Sequence, residues 1–246
     1  MSKIALITGA TAGIGLATAL ELGKAGYEII INGIIQEQAD DALKQLKEAG
    51  IKAECIMADI TNEDSVNEMF KTVGKKHDKL DVLVNCAGGL GGRSRFEDMT
   101  TEFYRKVMAL NLDSVFFVSR AAIPFLKKGE NASIINFASI ASYNAGGPGA
   151  GIYGTSKAGV LTITRALAKD LVEYGIRVNA VSPGTIDTAF HAATKREIME
   201  GWKNGILMKR FGEASEVATV IEFLVSDKAS YLTGEVIQIN GGQDFQ

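Results

Sequence analysis

A chain of 246 residues, 46% hydrophobic and 22% charged, is long enough to bury a large core and short enough for one α/β domain, and its composition excludes disorder. A formal net charge of -3 offers no basic field for nucleic acid or an anionic membrane, so small-molecule chemistry is expected. Cys55 and Cys86 form no C-x-x-C pair and read as reduced thiols, and His77 and His191 are too few to hold a catalytic metal.

The chain passes from Met1, Ser2 and Lys3 into an apolar run at 4–8 that is too short for a signal-peptide core or a membrane span, so a cytoplasmic location is expected. Similar runs at 28–32, 53–57, 81–85, 133–138, 176–181 and 235–239 also read as strands. Helical periodicity predicts helices over 14–25, 36–49, 63–76, 101–127, 153–174 and 215–225, with Pro124 a candidate break in the fourth. Gly26, Gly50 and Gly175 each stand where a helix must stop before a strand. Strands that are apolar without strict alternation are covered on both faces, so the fold expected over 1–246 is a single doubly wound Rossmann-type α/β domain. Residues 185–210 lack a clear strand and carry His191, Lys195, Trp202 and Lys209. They read as a lid of short helices, Trp202 packing within it, whose closure excludes water from a reacting centre.

The first strand runs into Gly9, Ala10, Thr11, Ala12, Gly13, Ile14 and Gly15. Gly9 suits a tight turn, Gly13 a close approach of backbone to a pyrophosphate, and Gly15 the packing of helix on strand. The G-x-x-x-G-x-G spacing departs from the usual dinucleotide fingerprint, and a bare βα turn is the alternative reading. Asp59, with Ile60 beside it, follows the third strand and suits the adenine amino group; the alternative is that Asp59 caps the helix starting near Asn62. Asn85, Cys86, Ala87 and Gly88 follow the fourth strand, where the adenosine ribose would pass, and Asn85 suits bracing backbone equally well. At the adenosine 2′ position no carboxylate stands at Gly33, and Ala12, Gly33, Ile34 and Ile35 offer no cation. The balance favours NAD(H), with NADP(H) left open through backbone N–H groups.

Tyr153 and Lys157 share one helical face, and Ser139 ends the preceding strand at the edge where a cofactor lies. A phenol near its reference pKa of about 10 exchanges protons poorly at neutral pH, and an adjacent ammonium is expected to lower it. A Tyr-x-x-x-Lys pattern alone is a common helix surface; its coincidence with the glycine loop makes it chemistry.

On the stretch Thr8 to Gly15, Asp59, Asn85 to Gly88, Asn111, Ser139, Tyr153-Gly154-Thr155-Ser156-Lys157 and Pro183-Gly184, the chain resembles the short-chain dehydrogenase/reductase family along essentially its whole length. The resemblance implies a seven-stranded parallel sheet and a homotetramer. It makes Tyr153 the general acid in reduction, Ser139 the group that orients the carbonyl, and Lys157 the holder of the nicotinamide ribose and the group that lowers the Tyr153 pKa. Asn111 would hold a water linking Lys157 to solvent; its alternative is an Asn that satisfies a helix irregularity. Pro183, Gly184, Ile186 and Thr188 would line the cofactor. Cys86 departs from the family, which more often has Asn there, and neither common cofactor-selecting charge is present.

Within the family, Ala87-Gly88-Gly89-Leu90 with Arg93, and Pro183 to His191 followed by Lys209-Arg210, resemble bacterial reductases of 4-deoxy-L-erythro-5-hexoseulose uronate, the product of alginate breakdown, which form 2-keto-3-deoxy-gluconate. Gly89, Arg93, Asn144, His191, Lys209 and Arg210 are the candidate substrate contacts for a carboxylate and several hydroxyls. A 3-oxoacyl-carrier-protein reductase is the alternative. A non-catalytic dinucleotide-sensing regulator is the alternative of another class, and it would not need Ser139, Tyr153 and Lys157 together. His77, in a Lys-Lys-His-Asp turn, reads as solvated.

Overall fold

Seven strands pair in parallel in the order β3-β2-β1-β4-β5-β6-β7 in the computed structural model, which describes residues 2–188 and 196–245. They are β1 (Ile4–Ile7), β2 (Glu28–Gly33), β3 (Ala53–Met57), β4 (Val82–Asn85), β5 (Ser133–Phe137), β6 (Arg177–Pro183) and β7 (Val236–Ile239). The register sets Ala5 beside both Ile29 and Val82, and Val82 beside Ser133. The chain winds outward from β1 to β3 and then returns to place β4 on the other side of β1. The strand order therefore reverses at β1 and β4, whose C-terminal ends open a crevice.

Alternate strand residues explain the unbroken apolar runs. Ile4, Leu6, Ile30, Leu83, Ile134 and Val178 face one layer, formed by α3 (Glu63–Gly74), α5 (Ser114–Leu126) and α7 (Gly151–Leu171). Ala5, Ile7, Ile29, Ile31, Val84 and Ile135 face the other, formed by α1 (Gly13–Lys24), α2 (Gln36–Glu48) and α9 (Ala214–Val225). Each large side chain so buried contributes about 1.5 to 3 kcal/mol.

Two local expectations are corrected. The fourth helical span does not break at Pro124, which lies inside α5. The irregularity falls upstream, where α4 (Thr101–Met108) passes into a π turn over Ala109–Asp113 before α5. His77 is not fully solvated: its ring is largely covered and Nε2 pairs with Glu54 Oε1 at 2.7 Å. Two further helices appear, α6 (Ala141–Asn144) after β5 and α8 (Arg196–Gly205) inside the segment expected to be a lid. The helical stretch Thr101–Leu126 has the length and apolar composition of a membrane span, yet in this fold its α5 half packs on α3, β4 and β5.

Candidate active site

The loop after β1 shows why glycine stands at its positions. Gly9 has φ +61°, and a Cβ there would lie 2.8 Å from Ala87 Cα, so the β1 and β4 loops touch through backbone. Thr8 Oγ1 accepts a hydrogen bond from Ala87 N at 3.2 Å and holds the same contact. A Cβ on Gly15 would stand 2.4 Å from the Gly9 carbonyl oxygen, which fixes α1 against the loop. The N-cap of α1, Ala12, makes no side-chain cap, and the first turn carries no acidic residue. Its leading N–H groups are thus left for an anionic ligand, and with the glycine cradle they fit a dinucleotide pyrophosphate.

Beside this loop lies a cleft of about 700 Å³. Gly9, Ala12, Gly13, Ile14, Gly15, Cys86 and Gly88 line one part, Pro183, Gly184, Ile186 and Thr188 another, and Ser139, Tyr153 and Lys157 the centre. The Thr188 methyl comes within 3.7 Å of where a Gly13 Cβ would be, so the chain after β6 lies over the glycine loop. Burial pushes the Cys86 thiol up to about 12, which leaves it an inert, protonated wall of the cleft.

Lys157 is buried on α7, and its Nζ donates to the Phe137 carbonyl at 2.7 Å. Removal from water lowers its pKa to about 8. A Cβ on Gly88 would lie 3.0 Å from Lys157 Nζ and 2.9 Å from Asn111 Oδ1, so only glycine admits both groups. Asn111 lies in the π turn and matches the reading of an Asn that satisfies a helix irregularity. Its Nδ2 donates to Val107 O at 2.9 Å, satisfying the irregular helix, and to Gly89 O at 2.8 Å, while Oδ1 accepts from Gly89 N at 2.9 Å.

Tyr153 is brought to Ser139 by helix packing. Gly154 lets α7 lie directly on α6, because a Cβ there would meet the Ala141 carbonyl at 2.8 Å and Ala145 Cα at 2.9 Å. The phenol and the Ser139 hydroxyl are hydrogen-bonded, and Ser139 Oγ also accepts from Ala141 N at 3.1 Å. The expected lowering of the Tyr153 pKa is not found. Burial raises it above 10.0, and the opposing influence is the Ser139 hydrogen bond, while the Lys157 ammonium is turned to the Phe137 carbonyl.

Several predicted contacts fall elsewhere. The Asn85 side chain is buried away from the cleft, donating to Ser119 Oγ at 2.9 Å and Asn136 Oδ1 at 2.8 Å, so it braces β4 against α5 and β5. Ile60 belongs to the core with Val66 and Met69. Asp59 is exposed and accepts from Thr61 N at 2.9 Å through Oδ1; the helix cap is Asn62, which accepts from Ser65 N. Gly33 packs on Thr11, and Ile34 is exposed at the end of β2.

On the substrate side, Arg93 and Asn144 line the cleft. Arg93 Nη1 donates to Pro148 O at 3.1 Å, and Asn144 Nδ2 donates to Asp244 Oδ2 at 2.9 Å. Gly89 is fixed by Asn111 as above. Lys209 donates to Asn204 O at 2.7 Å and does not line the cleft. Arg210 is held in a forked pair by Glu216, at 2.7 and 2.6 Å, beside a separate cavity of about 300 Å³, and does not line the cleft of Ser139, Tyr153 and Lys157. His191 lies outside the described residues. Lining residues not foreseen as contacts include Trp202 on α8 and Gln243, whose Oε1 accepts from Thr185 N at 2.8 Å and whose Nε2 donates to Thr185 Oγ1 at 3.0 Å.

Comparison with known proteins agrees with this geometry. A family model described as enoyl-(acyl carrier protein) reductase matches residues 9–244. The chain is 38% identical over 240 residues to the 3-oxoacyl-[acyl-carrier-protein] reductase FabG of Thermotoga maritima, covering 98% of this chain and 97% of the relative. Among solved structures, NADH-dependent reductase A1-R′, responsible for alginate metabolism, is similar with a TM-score of 0.91 and 36% identity, over 100% of this chain and 98% of that one. A dehydrogenase/reductase from Sinorhizobium meliloti 1021 gives a TM-score of 0.93 at 30% identity, over 99% and 95%. These likenesses set aside the non-catalytic regulator. The chain belongs to the short-chain dehydrogenase/reductase family, as an NAD(P)-dependent reductase of small molecules built on one Rossmann-type domain.

Proposed function

We propose that the protein uses NADH to reduce the aldehyde carbon of 4-deoxy-L-erythro-5-hexoseulose uronate, giving 2-keto-3-deoxy-gluconate in the cytoplasm. The observation that carries the substrate class is Arg93, the one guanidinium lining the cleft of Ser139, Tyr153 and Lys157 among the described residues. Asn144 and Gln243 add amide groups suited to hydroxyls. The likeness to the alginate-pathway reductase supports the same reading.

A nicotinamide held in the cleft would supply the hydride. Ser139 Oγ donates a hydrogen bond to the carbonyl oxygen and holds it beside Tyr153. Tyr153, kept protonated by burial, transfers its proton to that oxygen as the carbon gains the hydride, so C=O becomes CH–OH. Lys157 would hold the nicotinamide ribose; Asn111 fixes the Gly89 peptide and would hold a water that leads to Lys157. NADH is favoured because positions 12, 33 and 34 carry no cation for a 2′-phosphate. The segment 185–210, with Trp202 at the cleft, acts as the lid. Phe116 on α5 and Phe223 on α9 are exposed on opposite faces of the sheet, which suits the two kinds of interface in a homotetramer; light scattering tests the mass.

The test is Arg93→Ala. Loss of a charge-assisted hydrogen bond, about 1.5 to 3 kcal/mol, raises KM for the uronate roughly 10- to 100-fold and changes a neutral aldehyde little. Equal effects on both substrates contradict the assignment. A second reading, reduction of a 3-oxoacyl thioester on an acidic carrier, is favoured by the likeness to the Thermotoga enzyme and by exposed Arg95 close to Arg93.

A further inference from the structure

In a dinucleotide fold the adenosine ribose is read at the C-terminal end of β2, usually by a carboxylate that accepts from its hydroxyls. Here β2 ends at Gly33, and a Cβ at that position would stand 2.4 Å from Thr11 Cγ2, so Thr11 occupies the space a carboxylate side chain would enter. Ile34 follows, 72% exposed and without a polar side-chain atom. The polar groups that do meet at this spot come from two separate elements. Thr11 Oγ1, on the glycine loop, donates to Gln38 Oε1, in the first turns of α2, at 3.4 Å across 27 residues of sequence.

The surrounding charge is negative. Glu37 stands in the first turn of α2, Asp40 accepts from Gln36 Nε2 at 2.8 Å, and Asp41 follows. No lysine or arginine occurs from residue 34 to residue 43. A primary amide offers one acceptor and one donor group without charge, which matches a pair of ribose hydroxyls. It supplies nothing to balance a dianionic phosphate, and the neighbouring carboxylates repel one.

We propose that Gln38, positioned by Thr11, reads the adenosine ribose in place of a carboxylate on β2 and sets the choice of the 2′-hydroxyl over a 2′-phosphate. The proposal rests on the NADH reading and names the residue responsible for it. Gln38 is exposed, so its replacement leaves the fold intact.

Calorimetric Kd values for NADH and for NADPH, without substrate, are the test on the wild type, Gln38→Ala, Gln38→Arg and Thr11→Val. Gln38→Ala is expected to weaken NADH about tenfold and NADPH much less, a loss typical of one or two hydrogen bonds, with KM for NADH rising by more than kcat falls. Gln38→Arg is expected to tighten NADPH at least about tenfold through a new charge-assisted bond. Thr11→Val keeps the methyl against Gly33 and removes the hydroxyl, and should weaken NADH severalfold. An unchanged NADH Kd in Gln38→Ala, or no gain of NADPH affinity in Gln38→Arg, overturns the role of Gln38. A wild type that binds NADPH more tightly overturns the NADH reading instead; if Gln38→Ala still shifts the ratio of the two Kd values, Gln38 remains the reader.

Discussion

Gly88 and Lys157 are mutually dependent: a Cβ on residue 88 would lie 3.0 Å from the buried ammonium, which is itself anchored on the Phe137 carbonyl. Gly88→Ala therefore displaces Lys157 or Asn111 without removing any functional group. A misplacement of about 1 Å costs roughly 100-fold in turnover, so a smaller shift here should lower kcat by up to about that factor. The measurement is kcat together with the thermal midpoint, and normal kcat in a folded Gly88→Ala protein would show that the contact is dispensable.

Lys157 also links pH to stability. Its folded pKa of about 8 lies below the ordinary 10.5, so between those values the unfolded chain holds the extra proton, and stability of the ligand-free protein rises with pH. Below pH 8 the burial penalty is present in full. Lys157→Met removes it and should stabilise the ligand-free protein by about 1 to 3 kcal/mol while weakening dinucleotide binding and turnover. Denaturant titrations at pH 7 and pH 10 check this: the variant loses the rise seen in wild type. A less stable variant with an unchanged pH slope contradicts it.

The raised Tyr153 pKa favours one direction at neutral pH. A protonated phenol donates to a carbonyl oxygen, whereas alcohol oxidation needs the ionised form, so the oxidative rate should climb with pH well past neutrality while reduction is sustained there. Tyr153→Phe should lose about two to four powers of ten in turnover with dinucleotide Kd little changed. Retention of a tenth of the turnover would assign the proton to another group.

Arg210→Ala is the counterpart of Arg93→Ala. Its guanidinium is committed to Glu216, so KM for the uronate should stay within about twofold, the expectation for a surface change away from the site. A KM shift as large as that of Arg93→Ala would return Arg210 to the substrate site.

The strands and the glycine loop were legible because apolar runs and glycine spacing are local signals. Ile4 and Leu6 against Ala5 and Ile7 show the two-faced burial that produces those runs. Polar partnerships were less legible. The Glu213 and Glu216 capping box was present in sequence, and it is this second glutamate that captures Arg210. Gln243 reaches Thr185 from 58 residues away, and no local pattern announces such a contact. The irregularity at Asn111 was legible as one of its two readings, and Asn111 Nδ2 bonding Val107 O is the side-chain insertion that accompanies it, whereas Pro124 is tolerated inside α5. Asn85 and Ile60 were themselves expected cofactor contacts, but their side chains face the interior, a direction set by strand and loop geometry.

The most direct test of the account is a comparison of kcat/KM, with NADH at one salt concentration, for 4-deoxy-L-erythro-5-hexoseulose uronate and for an acetoacetyl thioester. The account predicts higher efficiency with the uronate, because the cleft sets Arg93, Asn144 and Gln243 beside Ser139 and Tyr153. Higher efficiency with the thioester would contradict it and make Arg93 and Arg95 part of a docking surface for an acidic carrier.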